Sequence, residues 1–235
     1  MYSNKKGIIL GAGIFFLIMG AFFLYSQSNT FEFVKTTTSG VIDVVLPGAP
    51  RRLTQPPLPQ KGIYISAWTQ SNSQRIKELI QLINATELNT VVIDVKDATG
   101  KFSYKVDIPL AEKIGANSEL KVKNIDGLIN QFHDNNIYVI GRVQVFQDPV
   151  LAKGRPDIAI KDSRDKNLWK DKQGLEWLDP SSKVAWQYAA DIAKDMVKHG
   201  FDEVNYDYIR FPADGDISRL SFPFWSADKP KYELV

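Results

Sequence analysis

The chain has 235 residues, no cysteine, a formal net charge of +2, 44% hydrophobic and 24% charged residues. These values are ordinary for a globular protein and exclude a disordered tail, a disulfide-stapled miniprotein, a collagen-like rod and a strongly basic nucleic-acid binder. The absence of cysteine also excludes zinc–thiolate sites and cysteine nucleophiles, so stability has to come from packing.

Residues 1–6 form a short tip that ends in Lys5 and Lys6, and an uncharged apolar run follows from Gly7 to Tyr25. The run is close to the roughly 20 residues a helix needs to cross a bilayer, and it lacks the polar positions of a soluble core helix. It exceeds the apolar region of a cleaved signal, about 7 to 15 residues, and Ser26 and Ser28 make a weak cleavage site. We therefore expect a transmembrane signal anchor over 7–25, with secretion after cleavage as the alternative. The lysines precede the run, which keeps the N-terminus cytoplasmic and places the rest of the chain outside the cell membrane. Residues 26–60 contain SQSNT, TTTSG and TQPPLPQ, a composition that predicts an extended stalk.

From Lys61 the pattern alternates between strand and helix, which predicts one domain over 61–235. GIYISAW (62–68) reads as a strand, and SQRIKELIQLIN (73–84) as a helix with Ser73 as N-cap and Ile76, Leu79, Ile80 and Ile83 on one face. TVVIDVKD (90–97) is a β-branched strand, and the following ATGKFSYKV resembles a small hairpin. NIDGLINQFHDNN (124–136) predicts a helix and IYVIGRVQVF (137–146) a strand. Residues 147–182 read as a long loop holding Trp169 and Trp177. Lys183 to His199 predicts a helix closed by Gly200, and FDEVNYDYIRFP (201–212) a fourth strand.

Unbroken alternation implies right-handed crossovers and a parallel sheet, either open and doubly wound or closed as a (β/α)₈ barrel. The first strand–helix turn, AWTQSNS, lacks the glycines of a dinucleotide site. Polar residues stand instead at the C-terminal ends of all four strands, the rim from which barrel enzymes build their sites. The expected fold is therefore an α/β TIM-type barrel. Only about four of its eight units can be counted, which predicts a half or incomplete barrel, truncated after the fourth strand.

Alternation along the last strand puts Val204, Tyr206 and Tyr208 on one face and Asn205, Asp207 and Ile209 on the other. A carboxylate inside a sheet costs several kcal/mol unless it is paired or functional. Asp207 is thus either a rim carboxylate that works on substrate or the partner of Arg142 or Arg210. Asp94 interrupts the second strand on the same face as Lys96, so it is either catalytic or neutralised by that lysine. Asp97 starts the next turn. Arg142 breaks the third strand and either orders the carboxylates or binds a sugar hydroxyl, and Gln144 lies two residues on. Among the aromatic residues Trp68 is the candidate for stacking on a sugar ring, whereas Tyr206 and Tyr208 are read as packing. His133 and His199 lie near helix C-termini, facing solvent, and neither has a metal partner at ligand spacing. Asp214 and Asp216 do not complete an EF-hand, and no nucleophile elbow or P-loop occurs. No cofactor or metal is expected.

KGIYISAW, TVVIDVKDATGKFSY, YVIGRVQVFQDP, WLDPSS and GFDEVNYDYIRFPADG together resemble a bacterial glycosyl hydrolase domain family of the TIM-barrel glycosidase superfamily, over about residues 60–220. The resemblance implies that Asp207 is the lead catalytic residue, with Asp94 and Arg142 in the cleft. Hydrolysis needs two carboxylates, about 5 to 5.5 Å apart for retention and 6.5 to 9.5 Å for inversion. Either Asp94 is the second or that partner is missing from the chain.

The expected function is a glycoside hydrolase acting on an extracytoplasmic or cell-wall polysaccharide. Asp207 and Asp94 are its catalytic residues, and Arg142, Trp68, Arg210, Lys96 and Gln144 bind substrate. The alternative is a non-catalytic carbohydrate-binding or envelope scaffold. Nucleic acid is not an expected partner, because residues 60–235 carry 24 Lys and Arg against 25 Asp and Glu, without a basic stripe.

Overall fold

The structure, a computed structural model, describes residues 52–53, 55–225 and 230. The apolar run at 7–25 and the predicted stalk up to residue 51, with Thr54, lie outside the described residues. Among those described, no helix is long and apolar enough to cross a membrane. The chain joins the domain before Lys61: Arg52 donates to the carbonyl of Asp202 at 2.9 Å and the Leu53 N–H to its carboxylate at 2.7 Å.

Four strands form the central sheet: β1 (Gly62–Ile65), β2 (Thr90–Lys96), β3 (Tyr138–Gln144) and β5 (Glu203–Asp207), all parallel and in the order β1-β2-β3-β5. Sequential order with right-handed crossovers places the connecting helices on one face, as in a barrel wall; a doubly wound sheet would reverse its strand order. The helices are α2 (Ser73–Asn84), α4 (Ile125–His133) and α6 (Lys183–His199). Shorter helices are α1 (Ala67–Gln70), α3 (Pro109–Lys113) and α5 (Pro149–Gly154), and β4 (Lys161–Asp162) pairs antiparallel with β6 (Leu220–Ser221).

The apolar positions explain the core. Ile76, Leu79, Ile80 and Ile83 of α2 are buried, as their spacing predicts, and Val91, Ile93 and Val95 of β2 are inaccessible to solvent. Gly141 of β3 allows α6 to approach closely, since a Cβ there would lie 2.2 Å from Met196 Cε and 2.8 Å from the Phe201 ring. Gly200, at φ 91°, ends α6 in the left-handed conformation that a helix C-terminus favours.

Several local expectations differ from the structure. β1 stops at Ile65, where Ser66 caps α1, so Trp68 sits on a helical turn and not in a strand. The N-cap of α2 is Asn72, whose side chain accepts the Arg75 N–H, and not Ser73. The stretch after Asp97 is not a free hairpin: Phe102, Tyr104 and Val106 are buried in the core, with one antiparallel bridge from Phe102 to Lys96. The long loop contains α5, capped by Asp148 with Pro149 in its first turn, an arrangement that supplies an acceptor and needs no N–H from the proline. β5 ends at Asp207 because Tyr208 turns to φ 55°. His133 faces the core and not solvent; its Nε2 lies 2.8 Å from Asp202 Oδ2.

Candidate functional site

The C-terminal ends of β2, β3 and β5 bring three predicted residues together. Register pairs Asp94 with Arg142 and Arg142 with Asn205, and one step further it pairs Gln144 with Asp207. All lie on the face away from Ile93, Val95 and Val143, which pack in the core. Arg142 Nη1 donates to Asp94 Oδ1 at 2.8 Å, while its Nε and Nη2 reach Asp207 Oδ2 at 2.8 and 2.6 Å. One guanidinium thus clamps two carboxylates from its two neighbouring strands. The planar fork of arginine permits this; a lysine ammonium would not hold both directions at once.

Tyr64 completes the cluster. Its hydroxyl donates to Asp94 Oδ2, and the Arg142 guanidinium stands 5.8 Å from its ring centre. Burial first, and then the hydrogen bond to Asp94, push the Tyr64 phenol up to about 12. Burial acts to lower the Arg142 pKa, but hydrogen bonds to Asp94 and Asp207 outweigh it and raise it above the ordinary value.

The two carboxylates differ in access. The Asp94 side chain is 5% exposed, whereas that of Asp207 is 42% exposed. Asp207 Oδ1 accepts the N–H of Tyr208 at 2.7 Å, a short reach made possible by the left-handed turn at Tyr208. Asp207 is therefore held at both oxygens yet open to a ligand, and Asp94 anchors Arg142 and Tyr64 from beneath. Beside Asp94 lies a small cavity whose walls include Trp68, Asp97, Lys101, Glu119 and Lys121. Trp68 is 71% exposed, with the Lys121 ammonium 4.7 Å from its ring centre.

Residues 62–235, well over half of the chain, match the family described as "Putative glycosyl hydrolase domain". The chain belongs to this family. A hypothetical protein from Ruminiclostridium thermocellum, known from a crystal structure, is 40% identical, with a TM-score of 0.66 over 73% of this chain and 86% of that one. The chitobiase of Flavobacterium johnsoniae shares 14% identity at a TM-score of 0.48, covering 63% of this chain and 23% of that one. The galactosidase domain of an α-galactosidase-sucrose kinase shares 18% at 0.44, covering 63% and 21%. No curated protein matches the chain.

Within this glycosyl hydrolase family domain, other predicted residues are placed differently. Lys96 does not share a face with Asp94, because the register shifts between them and Lys96 lies beside Val143. Its ammonium is buried, 2.5 Å from Asp148 Oδ2 and over the Tyr188 ring, so it joins β2 to α5 and cannot reach a substrate at the rim. Arg210 is exposed and stacks over Trp177 and Tyr208, at 5.3 and 5.0 Å from their ring centres; Arg142, not Arg210, is the partner of Asp207. Gln144 is buried next to Asp207 in register, and its Oε1 has no partner. Trp177 is buried, donating to Asp171 at 2.9 Å. Among the described residues, no three His, Asp or Glu side chains group as a metal ion would require.

Tyr64 escaped the sequence reading. Its signal was the alternation of GIYI, which sets it on the face opposite Ile63 and Ile65. Asp148 escaped it too, although an Asp–Pro pair at a helix start is a recognisable cap.

Proposed function

We propose that the domain is a glycoside hydrolase acting on an extracytoplasmic or cell-wall polysaccharide, with Asp207 as nucleophile or general base. The observation that carries this reading is the clamp: Arg142 fixes Asp207 at the strand ends against a buried Asp94, and Asp207 alone of the two keeps an open side. A fixed, solvent-reached carboxylate at a strand terminus suits attack on an anomeric carbon or on the water beside it. Trp68 offers a flat apolar surface next to the clamp for the neighbouring sugar ring. Membership of the glycosyl hydrolase family supports the same chemistry. The uncharged run over 7–25, preceded by two lysines, supports a single-pass anchor with this domain outside the membrane.

The test uses the full chain in detergent against a panel of glycans, with release of reducing ends as the readout. Asp207→Asn is expected to lower the rate at least about 100-fold, the scale of losing a positioned base. A second reading is favoured by one observation: the carboxylate linked to Asp207 through Arg142 is nearly inaccessible. That reading is a carbohydrate-binding scaffold. It takes over if no glycan is cleaved, binding survives Asp207→Asn, and Trp68→Ala abolishes it.

A further inference from the structure

β1 and β5 bound the four-stranded sheet on its two sides, and among the described residues neither has a strand on its outer edge. The Lys61 carbonyl accepts from the Asn89 N–H and the Asp207 carbonyl from the Val145 N–H, both at 2.9 Å, so these two carbonyls point into the sheet. Successive residues of a strand direct their backbone groups to alternate sides. Those of Gly62 and Tyr64 on one edge, and of Val204 and Tyr206 on the other, therefore point outward, and two free parallel edges are templates for further strands.

A barrel fills its interior with layers of side chains. Here Tyr64, Asn205 and Asp207, on the face that lines such an interior, keep access to solvent.

The helices show the same incompleteness on their outer flanks. On α2, Asn84 donates to Asn135 just beyond α4 at 2.8 Å, whereas Leu82, about 200° round the helix, is exposed on the flank away from α4. On α6, His199 reaches Asp126 of α4 at 2.6 Å, whereas Trp186 is exposed on the opposite flank. Tyr206 is also exposed; its hydroxyl donates to the carbonyl of Ala189, one turn from Trp186, and extends that patch. Each outer flank thus presents a large apolar side chain where a barrel places the adjacent helix.

The length of the crystallised relative from Ruminiclostridium thermocellum bears on what covers these flanks. It is 40% identical, and because the match spans 86% of it but 73% of this chain, it is the shorter of the two. A full barrel typically takes about 250 residues, more than that relative has, which argues for a second copy over further units of one chain.

We infer that two copies of this chain close one eight-stranded barrel about a two-fold axis running along the barrel. Such an axis keeps every strand parallel and sets β5 of each copy beside β1 of the other, so all free edges are paired at once. A contact of β1 with β1, or of β5 with β5, is antiparallel and leaves the other two edges open. Trp186 and Tyr206 then pack on the flank that carries the partner's Leu82. The barrel mouth becomes common to both copies and receives a second Asp207, held by its own Arg142 on the opposite wall, as a second carboxylate of the kind glycoside hydrolysis needs.

Sedimentation equilibrium of the full chain in density-matched detergent reads the oligomeric state with no glycan present, so its outcome is independent of the hydrolase reading. The wild type is expected to be a dimer at micromolar concentration. Leu82→Lys and Trp186→Glu should each weaken association at least about tenfold, with helical circular dichroism unchanged. Mixing the two variants should restore the dimer, because one seam then joins the two introduced charges of opposite sign and the other keeps Trp186 against the partner's Leu82. Trp186→Glu also loses the 2.7 Å bond to the Pro180 carbonyl. Leu82→Lys removes no side-chain hydrogen bond and decides the matter alone if the other variant unfolds. A wild type that stays monomeric, a dimer that withstands Leu82→Lys, or a mixture of folded variants no more associated than its components overturns the inference.

Discussion

Arg142 decides the electrostatics of the rim at the scale of single residues. Removing it leaves two carboxylates without their shared cation, one of them nearly inaccessible to water. Arg142→Met should cost about 2 to 3 kcal/mol, the scale of unpairing a buried charge, measured as a shift of the urea midpoint at constant slope. Tyr64 provides a spectroscopic check on the same cluster. Its phenol is raised to about 12, so the folded state prefers the neutral form. The stabilisation is fully present below the unfolded value near 10 and is lost as pH rises from about 10 through 12. The difference in phenolate absorbance between wild type and Tyr64→Phe should therefore rise near pH 12; a rise near pH 10 would contradict the hydrogen bond to Asp94. Asp94 and Arg142 were legible in the sequence because each interrupts an apolar strand, and Asp207 because alternation along the last strand turns it into the sheet. Lys96 was misread for a local reason: one register shift in β2 turned it away from the rim toward Asp148.

Elements position these residues by close packing and by one buried ion pair. Gly141→Ala would drive a methyl group into Met196 and Phe201, and should cost about 1 to 3 kcal/mol as α6 is pushed from the sheet, read from the thermal midpoint. Lys96→Met leaves Asp148 buried without its cation and should cost about 3 to 5 kcal/mol by urea unfolding. The helix α6 was found at its observed boundaries, since apolar spacing and a C-terminal glycine mark it, and α2 was found to within its cap, which is Asn72 and not Ser73. The stretch from Ala98 to Val106 was not, because alternation reads the same in a free hairpin and in a segment folded onto the core.

Across the whole molecule, the segment between β3 and α6 carries a buried polar frame around Asp171. That carboxylate accepts from Gln147 at 2.8 Å and from Trp177, Gln173 N–H and Leu175 N–H at 2.9 Å. Burial acts to raise its pKa, but these hydrogen bonds outweigh it and hold the group below the ordinary carboxylate range. A depressed folded value contributes stability above the unfolded pKa, near 3.9, that is lost as pH falls through the folded one. Asp171→Asn should lower stability at neutral pH and flatten its fall below about pH 4, in acid titrations followed by circular dichroism. The alternation of apolar residues by itself determined a parallel α/β sheet and its helix-facing side, since periodicity and β-branching are properties of neighbouring residues. Only the tertiary structure decided that Arg142 binds both Asp94 and Asp207, and that Asp207 stays open while Asp94 closes. Those depend on register between strands and on the packing of residues far apart in the chain, which no local pattern encodes.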